Sequence, residues 1–309
     1  MAEAAKLQVI DLSSPHISSV ADSIRQACVE YGFFYLVNHG VEEELIARVF
    51  EESSKFFSLS LDDKKKLLRK EYRGYSPLFA ENLDPSSRPE GDSKESFDIG
   101  NLEKSNLNQW PSEEVLPHWR STMEAYYCKV MSAGKRLSSL MALALNLEKD
   151  YFERIGALDK PECYLRLLHY PSEVVHREGE NMGASAHSDY GMITLLLSNG
   201  VPGLQVCKDK FKEPRIWEDV LHVNGAFIVN IGDLMERWTN CLFGSTLHRV
   251  IPTGQERFSL VFFLFPDPEC IVQCLKSCCS ESCPQRFPPI CSGDYLEERF
   301  GLTFGSKVD

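Results

Sequence analysis

From about residue 160 the chain alternates short apolar runs with turn residues, and this texture limits the possible folds more than any other feature. "CYLRLLHY", "MITLLL", "GLQVC", "AFIVNIG", "STLHRVI" and "RFSLVFFLF" follow one another with Gly, Pro and Asn between them. Each run has strand length and no helical period separates consecutive runs. That pattern favours a sandwich or barrel over a doubly wound parallel sheet.

Residues 1–160 read as mainly helical. "LQVIDLSS" predicts a short first strand, and "SSPHISSVADSIRQACVEYG" a helix with Ser14 as N-cap and Pro15 at the first helical position. "FFYLVNHG" predicts a strand, and "VEEELIARVFEESSKFFSL" a second helix with acids where the dipole favours them. Residues 72–111 look irregular, with Tyr75 and Phe79 as candidates for a lid, and a long helix is expected from Ser112 to Leu147. No flexible linker divides the chain. The expectation is one domain over 1–309, with a helical part to residue 160 and a β core over 161–309.

Composition excludes some function classes. The 33 basic and 45 acidic residues leave a formal charge of −12, which argues against nucleic acid or an anionic membrane as partner. "MAEAAKLQVIDLSSPH" lacks the basic and apolar regions of a secretory signal, and no run is apolar for the roughly 18 residues of a membrane span. With 11 cysteines and no export signal, a cytoplasmic protein with reduced thiols is expected. The cluster Cys270, Cys274, Cys278, Cys279, Cys283 and Cys291 lacks a C-x-x-C knuckle, so free thiols are expected there rather than zinc.

"GASAHSDYGMITLLL" places His187 and Asp189 two apart before an apolar run. On a strand that spacing puts both side chains on one face. A salt bridge, a solvated strand end and two ligands of one metal all satisfy it. His176 and Glu178 share the spacing, but in a polar, glycine-flanked loop. His248, in the strand "STLHRVI", supplies a third donor 59 residues beyond Asp189. Two imidazoles and one carboxylate are the ligand mix of a non-haem Fe(II) site with open positions, whereas a structural zinc site closes with four protein ligands. Arg257 and Ser259 alternate onto one face of the last strong strand, where a guanidinium fork and a hydroxyl form a carboxylate receptor.

These blocks together resemble the plant-type 2-oxoglutarate- and Fe(II)-dependent dioxygenases, the isopenicillin N synthase-like family. "CVEYGFFYLVNHGV" and "FFSLSLDDKKKL" resemble its N-terminal blocks, "GDSKESFDIG" its middle block, and "AHSDYGMITLLLSNGVPGLQV", "VNIGDLMERWTN", "LHRV" and "RFS" its catalytic half. The resemblance implies a β-rich α+β fold: a double-stranded β-helix (jelly-roll) core flanked by N-terminal and long supporting helices. It implies His187, Asp189 and His248 as iron ligands and catalytic centre, with Arg257 and Ser259 gripping the distal carboxylate of 2-oxoglutarate. Tyr170 in "LLHYP" stands where the family has a co-substrate-contacting tyrosine, while Leu168 replaces its usual asparagine. In "TNCLFGST", Cys241 and Gly244 replace the commoner glycine and lysine, which predicts a local change in that loop.

The implied reaction is hydroxylation of a small metabolite of plant specialised or hormone metabolism by a monomeric enzyme. Desaturation and dealkylation are open to the same chemistry. O2 is consumed, succinate and CO2 are released, and ascorbate serves as reductant. The competing expectations are a related iron oxidase that does not consume 2-oxoglutarate, a non-catalytic jelly-roll binding protein and a zinc hydrolase. Phe263 and Phe265 alternate with Phe262 and Leu264 on the strand carrying Arg257, so one half is expected to pack the barrel wall and the inward half to face substrate.

Overall fold

The computed structural model describes residues 3–84, 91–172 and 182–304; His176 and Glu178 lie outside these residues. Among them, eight strands form a major sheet in the order Val9–Asp11, Phe33–Val37, Phe227–Ile231, Ile193–Ser198, Arg257–Leu264, Cys163–Tyr170, Glu95–Ile99, Gly74–Ser76. A minor sheet of five runs Glu3–Ala4, Trp217–Asp219, Leu204–Cys207, His248–Val250, Ala184–His187. The short strands expected after residue 160 are therefore present, and four earlier strands extend the major sheet.

Alternation divides each central strand of the major sheet between two cores. Leu165, Leu167, Leu195, Leu197, Phe262 and Leu264 belong to a large apolar core with the helices Ile17–Glu30 and Trp119–Ala144. There Tyr127 meets Phe262 edge to face at 5.0 Å, a geometry that adds about 0.5–1.5 kcal/mol beyond burial. The alternate residues Leu168, Tyr170, Ile228 and Val261 pack with Leu204, Val206 and Val250 of the minor sheet. The space between the sheets is thus a second, narrower core. It opens at one end into a cavity.

Several sequence expectations need correction. The helix expected from Ser112 begins at Trp119, because Leu116 precedes Pro117 and His118 sits in the left-handed region at φ 63°. The first helix begins at Ile17 rather than Pro15; Ser14 accepts from the His16 amide and makes a turn instead of a cap. Residues 72–111 are not merely irregular, since Gly74–Ser76 and Glu95–Ile99 pair in register and Glu95–Ile99 joins Cys163–Tyr170. Tyr75 is no lid: it is buried, with its hydroxyl donating to Glu95 Oε2 at 2.5 Å. Phe79 is about half exposed and absent from the cavity wall. No helix among the described residues is long and apolar enough to cross a membrane.

Candidate active site

Two local structures aim the donors. His187 ends the strand Ala184–His187, and His248 begins His248–Val250; the two are register partners across the antiparallel pair. Directly opposed residues project to the same face, and their ring centroids lie 4.3 Å apart. Asp189 lies two residues past its strand, so strand alternation does not place it. A tight turn does: Asp233 donates its amide to Asp189 O at 2.7 Å, and Gly232 donates to Met192 O at 3.0 Å. Gly232 must be glycine, because a Cβ there would overlap the Gly191 carbonyl.

The three ligand atoms lie within 4.8 Å of one another. Nε2 of each histidine is 3.7 Å from Asp189 Oδ1. Every other polar atom of the triad is occupied. Nδ1 of His187 bonds Ser185 O at 2.7 Å and Nδ1 of His248 bonds Thr246 O at 3.1 Å, which leaves Nε2 of each neutral ring as a lone-pair donor. Asp189 Oδ2 accepts from Thr194 at 2.6 Å and Asn230 at 2.7 Å, leaving Oδ1 for the centre.

Electrostatics favours the ligating forms. Burial, then the neighbouring His248, pushes the His187 pKa down to about 4, so its imidazole is neutral at pH 7. Burial alone would raise the Asp189 pKa. The two imidazoles and the bonds from Thr194 and Asn230 outweigh it and hold the pKa low. Two imidazole nitrogens and an ionised carboxylate converging on one point fit a divalent non-haem iron and lack the thiolates of a closed structural zinc site. Among the described residues, no cysteine joins such a group.

The second predicted cluster also assembles. Arg257 stands opposite Tyr170 in register and Ser259 opposite Leu168. The Arg257 guanidinium donates to Ser259 Oγ at 2.5 Å and to Val201 O at 3.2 Å, and lies 5.0 Å from the Tyr170 ring centroid. Arg257 is 3% exposed, and among the described residues no carboxylate forms an ion pair with it. A buried cation so placed is a receptor for an anion. Tyr170 and Val250 line both its recess and the main cavity beside the triad.

The main cavity, part of it open to solvent, has two unlike walls. One wall is aromatic: Tyr164, Phe263, Phe265 and, from the C-terminal helix Ser292–Phe304, Phe300. Phe263 and Phe265 thus both face the cavity. Thr303 of the same helix bonds the Tyr190 hydroxyl at 2.6 Å. The other wall is a chain of buried charges. Lys94 pairs with Asp92 at 2.7 Å and Glu81 at 2.8 Å; Arg166 pairs with Glu81 at 2.9 Å and Asp98 at 2.6 Å.

Sequence reasoning missed this charged wall, together with Thr194, Asn230, Phe300 and Thr303. Thr194 and Asn230 stand inside the quoted blocks "AHSDYGMITLLL" and "VNIGD", and Lys94 and Asp98 inside "GDSKESFDIG", but no spacing within those blocks assigns them a role. Leu168, where the family has asparagine, contributes an apolar patch to the cavity.

Residues 7–113 match the family described as the non-haem dioxygenase in morphine synthesis N-terminal, and residues 161–266 match the 2OG-Fe(II) oxygenase superfamily. Kihadalactone A synthase of Citrus sinensis is 38% identical over 306 residues, covering 95% of this chain and 91% of that protein. Azadirone synthase of Melia azedarach is 36% identical, covering 98% and 94%. A fungal 2-oxoglutarate-Fe(II) type oxidoreductase of Emericella nidulans is 33% identical, covering 93% and 86%.

Among solved structures, a full-length Neurospora crassa protein in complex with α-KG and thymine superposes with a TM-score of 0.84 at 28% identity, covering 96% of each chain. JOX2 in complex with 2OG, Fe and JA gives 0.82 at 29% identity, covering 99% of this chain and 88% of that one. These matches bear out the jelly-roll core and set aside the hydrolase and the non-catalytic binding protein. The chain belongs to the 2OG-Fe(II) oxygenase superfamily and is a 2-oxoglutarate-dependent dioxygenase, an oxidoreductase that uses Fe(II).

Proposed function

We propose that His187 Nε2, His248 Nε2 and Asp189 Oδ1 hold the Fe(II), and that Arg257, Ser259 and Tyr170 grip the distal carboxylate of 2-oxoglutarate. The observation that carries this reading is the division of labour within the triad: each residue offers one atom to the centre while its remaining polar atoms are bonded elsewhere. When bound, the iron with 2-oxoglutarate and O2 supplies the oxidising power, with release of succinate and CO2. The protein orients the ligands, neutralises the co-substrate carboxylate and holds a largely aromatic-walled cavity over the centre.

The reaction is hydroxylation of a small organic molecule. The aromatic wall favours a substrate with a flat apolar portion, and the Glu81–Arg166–Asp98 wall favours a polar group on its opposite edge. Likeness to kihadalactone A synthase, azadirone synthase and the thymine-bound Neurospora crassa protein supports a substrate among plant or fungal metabolites. The enzyme works as a one-domain monomer in the cytoplasm, with ascorbate keeping its iron reduced. The test is incubation of the iron-loaded enzyme with 2-oxoglutarate and plant metabolite extracts. One succinate per product carrying one added oxygen supports the reading; product with no succinate contradicts it.

A further inference from the structure

The strand Ala184–His187 is the edge of the minor sheet, and its ladder to His248–Val250 is irregular between its two register pairs. An edge strand with a broken ladder is a poor platform for a ligand that must be held to a few tenths of an ångström. No further strand covers it among the described residues. Side chains from the segment just before Glu95–Ile99, at the far side of the major sheet, cover it instead.

Asp92 Oδ1 accepts from both the amide and the hydroxyl of Ser185, at 2.9 and 2.6 Å. Ser93 donates its amide and its hydroxyl to Met182 O at 2.9 and 2.8 Å. Lys94 holds the second oxygen of Asp92 at 2.7 Å. Ser185 then passes the constraint on, because its carbonyl accepts from His187 Nδ1 at 2.7 Å. Asp92, Lys94 and Ser185 are all buried. A buried ion pair is weak evidence for stability, since desolvation consumes most of its attraction. Its value here lies in geometry.

We propose that Asp92 is a positioning residue for His187, acting as a clasp that fixes the Ser185 peptide and through it the ring orientation and tautomer of the imidazole. Lys94 orients the clasp and connects it, through Glu81 and Arg166, to the charged wall of the substrate cavity. The proposal rests on the metal role of His187 given above. It assigns the middle block "GDSKESFDIG" a task at the centre that its own residues never touch.

The test is the affinity of the purified full chain for Co(II), measured by calorimetry without co-substrate in wild type, Asp92→Ala, Asp92→Asn, Ser185→Ala and His187→Ala. Circular dichroism checks the fold of each variant, and the isosteric Asp92→Asn carries the test if the alanine variant is unfolded. Removing a partner behind a ligating histidine typically weakens metal binding about 10- to 100-fold. Asp92→Ala is therefore expected to lose at least about tenfold. Ser185→Ala, which keeps only the amide bond, and Asp92→Asn, which keeps an oxygen for Ser185 but loses the charge that holds Lys94, should fall between it and wild type. Folded Asp92 variants binding Co(II) within about twofold of wild type, while His187→Ala binds far more weakly, overturn the clasp alone. Equal binding by wild type and His187→Ala overturns the metal role of His187 and the clasp with it.

Discussion

His187 and His248 are register partners on adjacent antiparallel strands, their rings 4.3 Å apart although 61 positions separate them in the chain. The pairing converts a long sequence separation into a fixed metal-sized gap. It also makes the centre depend on two sheet features, the register of this ladder and the turn that returns Asp189 beneath it.

The Asp189 carboxylate is shared between the centre and the scaffold. Thr194→Val and Asn230→Ala each remove one of the two bonds that hold Oδ2, so each should weaken metal binding about tenfold with little change in the affinity for 2-oxoglutarate. Metal titration followed by co-substrate titration of the metal-saturated variants checks this. Unchanged metal affinity in both variants would refute the assigned role of Oδ2.

Arg257→Ala removes the only charged member of the Arg257–Ser259–Tyr170 cluster. Loss of a buried charged partner costs about 2–5 kcal/mol, at least about a tenfold rise in the 2-oxoglutarate concentration required. Iron affinity should stay near wild type. Arg257→Lys keeps the charge but loses the fork and should fall between the two. The check is the KM for 2-oxoglutarate at saturating Fe(II).

The metal-free protein should lose stability as pH falls. The folded pKa of His187, about 4, lies below its ordinary value of 6.5, so the unfolded chain binds more protons throughout that window. Stability from this residue therefore declines as pH drops from about 6.5 and levels off below about 4. Other groups titrate in the same range, so the readout is the difference between wild type and His187→Gln in urea unfolding with chelator at pH 7, 5.5 and 4.5. Parallel curves would show that His187 is not held neutral by its surroundings.

The donors are legible in the sequence because their types are rare and their local spacing is distinctive: His187 with Asp189, His248 in a strand, Arg257 with Ser259. The reason for the first spacing is only half right, since Asp189 is placed by the turn against Gly232 and not by strand alternation. Glu95–Ile99 is illegible as a buried strand because Glu95 and Asp98 read as solvent-facing. Their partners Lys64, His169 and Arg166 come from distant segments. Asp92 and Lys94 are hidden for the same reason. Phe300 and Thr303 lie on a terminal helix whose packing over the cavity has no local signature.

The central claim is that His187, Asp189 and His248 hold the iron that couples 2-oxoglutarate to substrate oxidation. The most direct measurement is Fe(II)-dependent formation of succinate from 2-oxoglutarate under O2, compared between wild type and His248→Ala. The account predicts succinate from the wild type that vanishes with a chelator and is absent from a folded His248→Ala. Undiminished succinate from that variant, or none from the iron-loaded wild type in any metabolite extract, would contradict it.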